Sequence, residues 1–188
     1  MEPNQQQVVY PSVVVIGCDK TGKSTLIKGL LQALPEYHFF KGDKQPSPQM
    51  SYDVAYKHAV ELAASGNKVI HDRFHYPDDI VYHPVFNGGE SLPDKIQKMY
   101  RSEIIPILQA QPTLFIYCSA APEIIAKRFV LEKEELVNPK FIRDLLHNYD
   151  QILDELKGNF RVLSLRSDVL TPAEMLNISL TYIQEGKL

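Results

Sequence analysis

The stretch VVVIGCDKTGKSTLIKGLL, residues 13–31, sets an apolar run against a glycine-bearing loop that leads into an amphipathic segment. Four consecutive residues, Val13 to Ile16, are aliphatic and β-branched, which predicts a short strand buried on both faces. The spacing of apolar positions over residues 24–34 predicts the helix that follows. Between them, Gly17-x-x-x-x-Gly22-Lys23-Ser24 has the spacing of a turn wrapped around a phosphate chain. Its glycines remove Cβ atoms so that backbone N–H groups can turn inward, and the helix N-terminus adds unpaired amides and a positive dipole end. In that arrangement Lys23 reaches the β- and γ-phosphates, and the Ser24 hydroxyl ligates Mg²⁺. A glycine-punctuated turn without chemistry is the plain alternative, and the eight spaced positions with both flanks in character weigh against it.

Outward from this loop, 188 residues that are 44% hydrophobic suffice for one domain with a packed core. A formal net charge of −3 argues against a surface given over to duplex DNA and suits free mononucleotides, so no stable nucleic-acid partner is expected. No apolar run reaches the roughly 18 residues of a membrane span, and the start MEPNQQQ lacks the layout of a signal peptide, so a cytoplasmic protein is expected. Cys18 and Cys118 cannot build a disulfide framework and are expected to pack. The sequon Asn177-Ile178-Ser179 falls on an amphipathic helix and is discounted.

Further strand-like runs occupy residues 37–40, 68–71, 113–118 and 160–165, with helical patterns between them. Gly66-Asn67 closes a helix that begins near Gln49, Asn138-Pro139 opens another, and Thr171-Pro172-Ala173-Glu174 is a capping box with proline in the first turn. Strands alternating with helices imply parallel pairing through right-handed crossovers: a three-layer α/β domain with a five-stranded parallel sheet flanked by helices. Ligands of such sheets collect at the strands' carboxyl ends. There the chain places the phosphate loop, then Lys41-Gly42-Asp43-Lys44-Gln45-Pro46, then Asp72-Arg73-Phe74. Asp72 can hold a Mg²⁺-bound water and Arg73 can fork onto a phosphate, although a strand-end salt bridge is the bland reading of the same pair. His71, His75 and His83 lie close in sequence, but no cysteine or carboxylate set completes a tetrahedral metal site with them.

Together GCDKTGKST, KQP after the second strand and DRF after the third resemble the thymidylate kinase-like branch of the nucleoside monophosphate kinases, which have a P-loop NTPase fold. The likeness spans most of the chain and takes in QPTLFIYCSAAPEIIAKRF, similar to the family's fourth strand, its following helix and the start of its lid, here residues 128–139. It implies a single P-loop kinase domain over 1–188 that transfers the γ-phosphoryl of ATP to a nucleoside monophosphate, commonly dTMP, with Mg²⁺. It further implies that Gly17, Asp19, Thr21, Gly22, Lys23, Ser24 and Thr25 form the ATP-binding loop, with Ser24 and Asp72 in the magnesium shell. Asp19 would also accept from the acceptor sugar, Lys20 and Lys23 would be catalytic cations, and Arg73 would grip the acceptor phosphate. Tyr52 and Tyr56 fall in the family's base-binding region, where stacking on the base and simple helix packing both remain open. Tyr82 falls near the residue that relatives set against the sugar's 2′ carbon, and Arg143 near a contact to the ATP base. A homodimer, as in relatives, is left open.

The chain departs from the family in two places. Lys44 and Gln45 replace the arginine and glutamate after the second strand, and lysine lacks the planar fork of arginine. The lid RFVLEKEELVNP has one arginine, one lysine and three acids where many relatives carry several arginines, which puts the catalytic cation at Lys20, with Arg128 in reserve. A deoxynucleoside kinase, which must activate a neutral 5′-hydroxyl, and a nucleotide-binding regulator or DNA-end kinase are the competing functions.

Overall fold

In the computed structural model, which describes residues 10–131 and 138–185, the strand β1 (Ser12–Ile16) lies at the centre of the sheet. It pairs in parallel with β3 (Val69–Asp72) on one side and β4 (Thr113–Ser119) on the other. The edges are β2 (His38–Lys41) and β5 (Arg161–Arg166), giving the all-parallel order β2-β3-β1-β4-β5. Each expected strand is present, displaced by about one residue at an end.

Residues 13–16 are wholly buried because they alternate between two cores. Val14 and Ile16 enter a core formed with α2 (Pro48–Ser65), α3 (His75–Phe86) and α7 (Pro139–Asn159). Val13 and Val15 enter a second core with α1 (Lys23–Ala33) and α8 (Pro172–Glu185). Each such side chain contributes about 2 kcal/mol of transfer free energy, so the strand is held by burial on both faces. Between β3 and β4, α4 (Asp94–Met99) and α5 (Ile105–Gln109) are joined by a π-helical turn, Tyr100–Ile104. The helix α6 (Pro122–Leu131) follows β4. Of the expected lid, residues 132–137 lie outside the described residues, and its flanks are the end of α6 and the start of α7.

The helix boundaries follow the capping chemistry. Gly66 is left-handed at φ 64° and ends α2, while Asn138 accepts from the Lys140 N–H at the start of α7. Thr171 and Glu174 exchange hydrogen bonds at the head of α8, as a capping box requires. No helix among the described residues is long and apolar enough to cross a membrane.

Beneath the edge of the sheet the ring of His58 stacks on Phe40 at 3.7 Å and meets His71 at 5.2 Å, with Phe74 closing the group. Burial, then the neighbouring His58, pushes the His71 imidazole down to about 3, and burial lowers His58 as well. A histidine of ordinary pKa near 6.5 in the unfolded chain binds a proton that the folded chain refuses. Stability contributed by His71 is therefore present above about pH 6.5 and lost as pH falls from there towards 3. Urea midpoints of the wild type should fall over that window, and His71→Phe should flatten the decline.

Candidate functional site

All three loops expected at the rim sit at the carboxyl ends of β1, β2 and β3, beside β1, where the sheet order reverses. The phosphate loop leaves β1 at Gly17, whose φ of 137° and lack of a side chain let the backbone pass over β4. A Cβ at Gly17 would lie 2.0 Å from the Cys118 carbonyl oxygen. The loop is braced from within, since the Thr21 hydroxyl and the Lys23 ammonium both donate to the Cys18 carbonyl at 2.7 Å. Lys23 is buried, and burial followed by the like charge of Arg73 lowers its pKa. The thiol of Cys18 is buried and pushed up to about 11, and that of Cys118 to about 12, so both stay protonated and unreactive near neutrality.

Two non-glycine residues stand in left-handed conformation, Lys20 at φ 63° and Arg73 at φ 66°. Each costs on the order of 1 kcal/mol, and both stand on the same rim, where strain of this kind marks sites of function. Gly42 makes room for the Arg73 backbone, because a Cβ there would come within 3.1 Å of the Arg73 carbonyl. Lys20 places its ammonium 5.4 Å from the centre of the Phe129 ring. Arg128, at the end of α6, donates to the Lys20 carbonyl and to the Ser167 hydroxyl and carbonyl, each at 2.8 Å. It thus ties the phosphate loop to the loop after β5.

Two cavities open on this rim. One of about 840 Å³ is lined by the phosphate loop with Lys20, Lys23, Ser24 and Thr25, and by Asp72, Arg128 and Leu170. The other, of about 520 Å³, runs between the loop after β2, the start of α2 and α3, and its lining includes Ser51, His75, Asp78, Asp79, Tyr82 and Phe86. They share one wall, made of Asp19, Gly42, Asp43, Lys44 and Arg73.

Arg73 is gripped from three sides. Its Nη2 pairs with Asp19, its Nε lies 3.6 Å from the Asp78 carboxylate, and the guanidinium sits 4.7 Å above the Tyr82 ring. Burial works against its charge, but Asp78, Tyr82 and Asp19 outweigh burial and raise its pKa, so it remains a cation at every accessible pH. Asp78 is itself buried, and burial raises its carboxyl to about 6 despite Arg73 and a 2.9 Å hydrogen bond donated by the Tyr149 hydroxyl. Lys44 lies 4.6 Å from the Phe86 ring at the mouth of the second cavity.

The sequence expectations separate at this point. Asp19, Lys44, Arg73 and Tyr82 are brought to the second cavity, and Asp19, Lys20, Gly22, Lys23, Ser24, Thr25 and Asp72 to the first. Tyr52, Tyr56 and Arg143 line neither cavity, and Gly17 and Thr21 shape the loop from behind it. Tyr52 is buried and donates at 2.7 Å to Glu103 of the π-helical turn, with its ring against Tyr100. Tyr56 is exposed beside it on α2, and Arg143 stands on the solvent face of α7. Sequence reading missed Asp78 and Asp79 and weighed His75 only as a metal ligand; all three lie in a stretch without a motif. The acid at Arg73 plus five residues is the one signal that could have drawn notice to Asp78.

Among the described residues no group of three or more histidines, cysteines or carboxylates could hold a metal ion. The Ser24 hydroxyl and the Asp72 carboxylate line the first cavity together, and two oxygen ligands fit Mg²⁺, which keeps most of its shell as water and phosphate oxygens.

No family model and no curated protein matches the chain by sequence. Among solved structures, the YorR protein of Bacillus subtilis in complex with phosphorylated GDP is similar at a TM-score of 0.70 and 22% identity, over 91% of this chain and 94% of that one. Deoxyadenosine kinase of M. mycoides with bound dCTP is similar at 0.64 and 14% identity, over 92% and 98%. Thymidylate kinase of Candida albicans is similar at 0.60 and 17% identity, over 94% and 91%. The five-stranded parallel sheet with its flanking helices is thus the fold of the P-loop kinases.

Proposed function

We propose that this chain transfers the γ-phosphoryl of ATP to a deoxynucleoside monophosphate, with dTMP or a related pyrimidine nucleotide as the acceptor. The observation that carries this reading is the wall common to both cavities, where Arg73 and Lys44 present cations between a phosphate-loop site and a second, partly apolar site. ATP would occupy the loop cavity, with Lys23 turning from the Cys18 carbonyl to the β- and γ-phosphates. The acceptor would place its phosphate at Arg73 and its sugar near Tyr82 and Asp19. An acceptor oxygen then forms a bond to the γ-phosphorus while the bond to the ADP oxygen breaks, and the incoming oxygen, already anionic, needs no general base. Mg²⁺, held through Ser24 and Asp72, would offset phosphate charge when bound. Lys20, Lys23 and Arg73 stabilise the charge spreading over the transferred group.

A deoxynucleoside kinase is the second reading. It is favoured by the Asp43 carboxylate in the common wall, which could take the proton of a 5′-hydroxyl, and by the likeness to deoxyadenosine kinase. ADP release with ATP and Mg²⁺ should be measured against the deoxynucleosides, thymidine and deoxyadenosine among them, against dTMP, dCMP, dGMP and dAMP, and against short DNA ends, dGMP being included because YorR holds a guanine nucleotide. Turnover of a monophosphate and not of nucleosides supports the first reading, and turnover of nucleosides alone supports the second. Activity on DNA ends alone, or none, moves the assignment to a DNA-end kinase or a nucleotide-binding regulator. With an active acceptor in hand, Arg73→Ala should raise its KM at least tenfold and leave the KM for ATP within about twofold, since a hydrogen-bonded charge is worth about 1.5–3 kcal/mol.

A further inference from the structure

We propose that Asp78 is a positioning residue for this reaction: it holds the Nε edge of Arg73 while Asp19 holds Nη2, so that the guanidinium presents its remaining edge to the acceptor phosphate. The proposal rests on the phosphoryl-transfer reading above. Asp78 stands on α3, buried at the wall of the acceptor cavity, with Oδ2 3.6 Å from Arg73 Nε and Oδ1 accepting from Tyr149 of α7. At 3.6 Å the pair is an ion pair without a hydrogen bond, and Oδ2 is a buried oxygen with no hydrogen-bond partner. A shift of a few tenths of an ångström would close that bond, as catalytic hydrogen bonds commonly do when substrate binds.

With Nε and Nη2 turned to carboxylates and one face on Tyr82, the Nη1 group of Arg73 donates no hydrogen bond to another described residue and is the edge left for a ligand. The groups facing Asp78 are Arg73 after β3, Tyr149 on α7, Lys23 on α1, and Asp79 and Tyr82 on its own helix. Keeping a carboxylate here works against the fold. Its folded pKa of about 6 lies above the ordinary aspartate value of 3.8, so folding favours the protonated acid, and that advantage is lost as pH rises through 6. A buried acid that opposes folding at neutral pH and grips one arginine at a cavity wall has the character of a site residue.

The test is Asp78→Asn, which keeps the size of the side chain and the oxygen that accepts from Tyr149. Its acceptor KM should rise about tenfold, its KM for ATP should stay within about twofold, and its melting temperature should be equal to or above that of the wild type. If the wild type turns over an acceptor and Asp78→Asn binds it equally well, the proposal falls while the phosphoryl-transfer reading stands. If the wild type turns over no monophosphate, that reading itself falls.

Tyr149→Phe provides a second, independent arm should Asp78→Asn fail to fold. The phenol holds the Asp78 carboxyl down, so its removal should move the acid limb of kcat/KM for the acceptor upwards from about pH 6. The acceptor phosphate titrates in the same range, but on kcat/KM its limb is that of the free nucleotide, which no change in the protein can move. An unmoved limb in Tyr149→Phe would overturn the proposal.

Discussion

Substituting Lys23 by alanine should lower kcat/KM for phosphoryl transfer about 10³-fold, about 4 kcal/mol of transition-state stabilisation, while the melting temperature holds or rises. The two halves of this expectation come from the same burial. Lys23 is almost fully enclosed, and burial depresses its pKa, which means that folding disfavours the ammonium relative to the unfolded chain. Its hydrogen bond to the Cys18 carbonyl offsets part of that cost, and Thr21 donates to the same oxygen. Alanine therefore leaves the carbonyl satisfied and removes a charge that the fold tolerates for another purpose. Steady-state kinetics beside a thermal melt would check both halves. A variant that loses activity only because it has unfolded would contradict this account of Lys23.

Gly17→Ala should do the reverse and take the fold down with the site. The new methyl carbon would stand 2.0 Å from the Cys118 carbonyl oxygen and 3.1 Å from its carbon, both backbone atoms of a central strand. Neither can move without breaking the pairing of Ile16 with Tyr117. The φ of 137° adds strain for any residue with a side chain. A loss of 3 kcal/mol or more is expected, a large part of the ~5–15 kcal/mol that holds a domain of this size, together with loss of ATP binding. Urea unfolding checks it, and a wild-type midpoint in Gly17→Ala would show that the loop does not lie on β4 as described.

Why the first cavity is readable in sequence and the second is not follows from how each is assembled. The phosphate loop is one contiguous segment, with a β-branched strand before it and an amphipathic helix after it, so spacing alone carries its geometry. Helix ends are legible for the same local reason: Asn138 and Thr171 accept from backbone N–H groups within three residues of themselves, and Gly66 takes the left-handed conformation that ends α2. The grip on Arg73 instead joins Asp19, Asp78 and Tyr82, and Asp78 is in turn held by Tyr149, 71 residues away on another helix. No period or motif encodes such a meeting.

Tyr52 shows a choice that spacing leaves open. Its spacing from Tyr56 reads equally well as a stacking pair or as helix packing, and Glu103 with Tyr100 draws its ring and hydroxyl into the core. Arg143 lies on the outward stripe of the amphipathic α7, where the inward positions are Ile142, Leu145 and Tyr149. The approximate position of a residue on a helix was known, and its rotation about the axis was not.

The central claim is that a donor and an acceptor bind side by side and meet at Asp19 and Arg73. Calorimetric titration of the acceptor into protein saturated with Mg²⁺ and a non-hydrolysable ATP analogue tests it most directly. One equivalent of acceptor should bind with affinity undiminished by the analogue, and Arg73→Ala should weaken that binding alone. Displacement of either compound by the other would mean one shared site and would contradict the account.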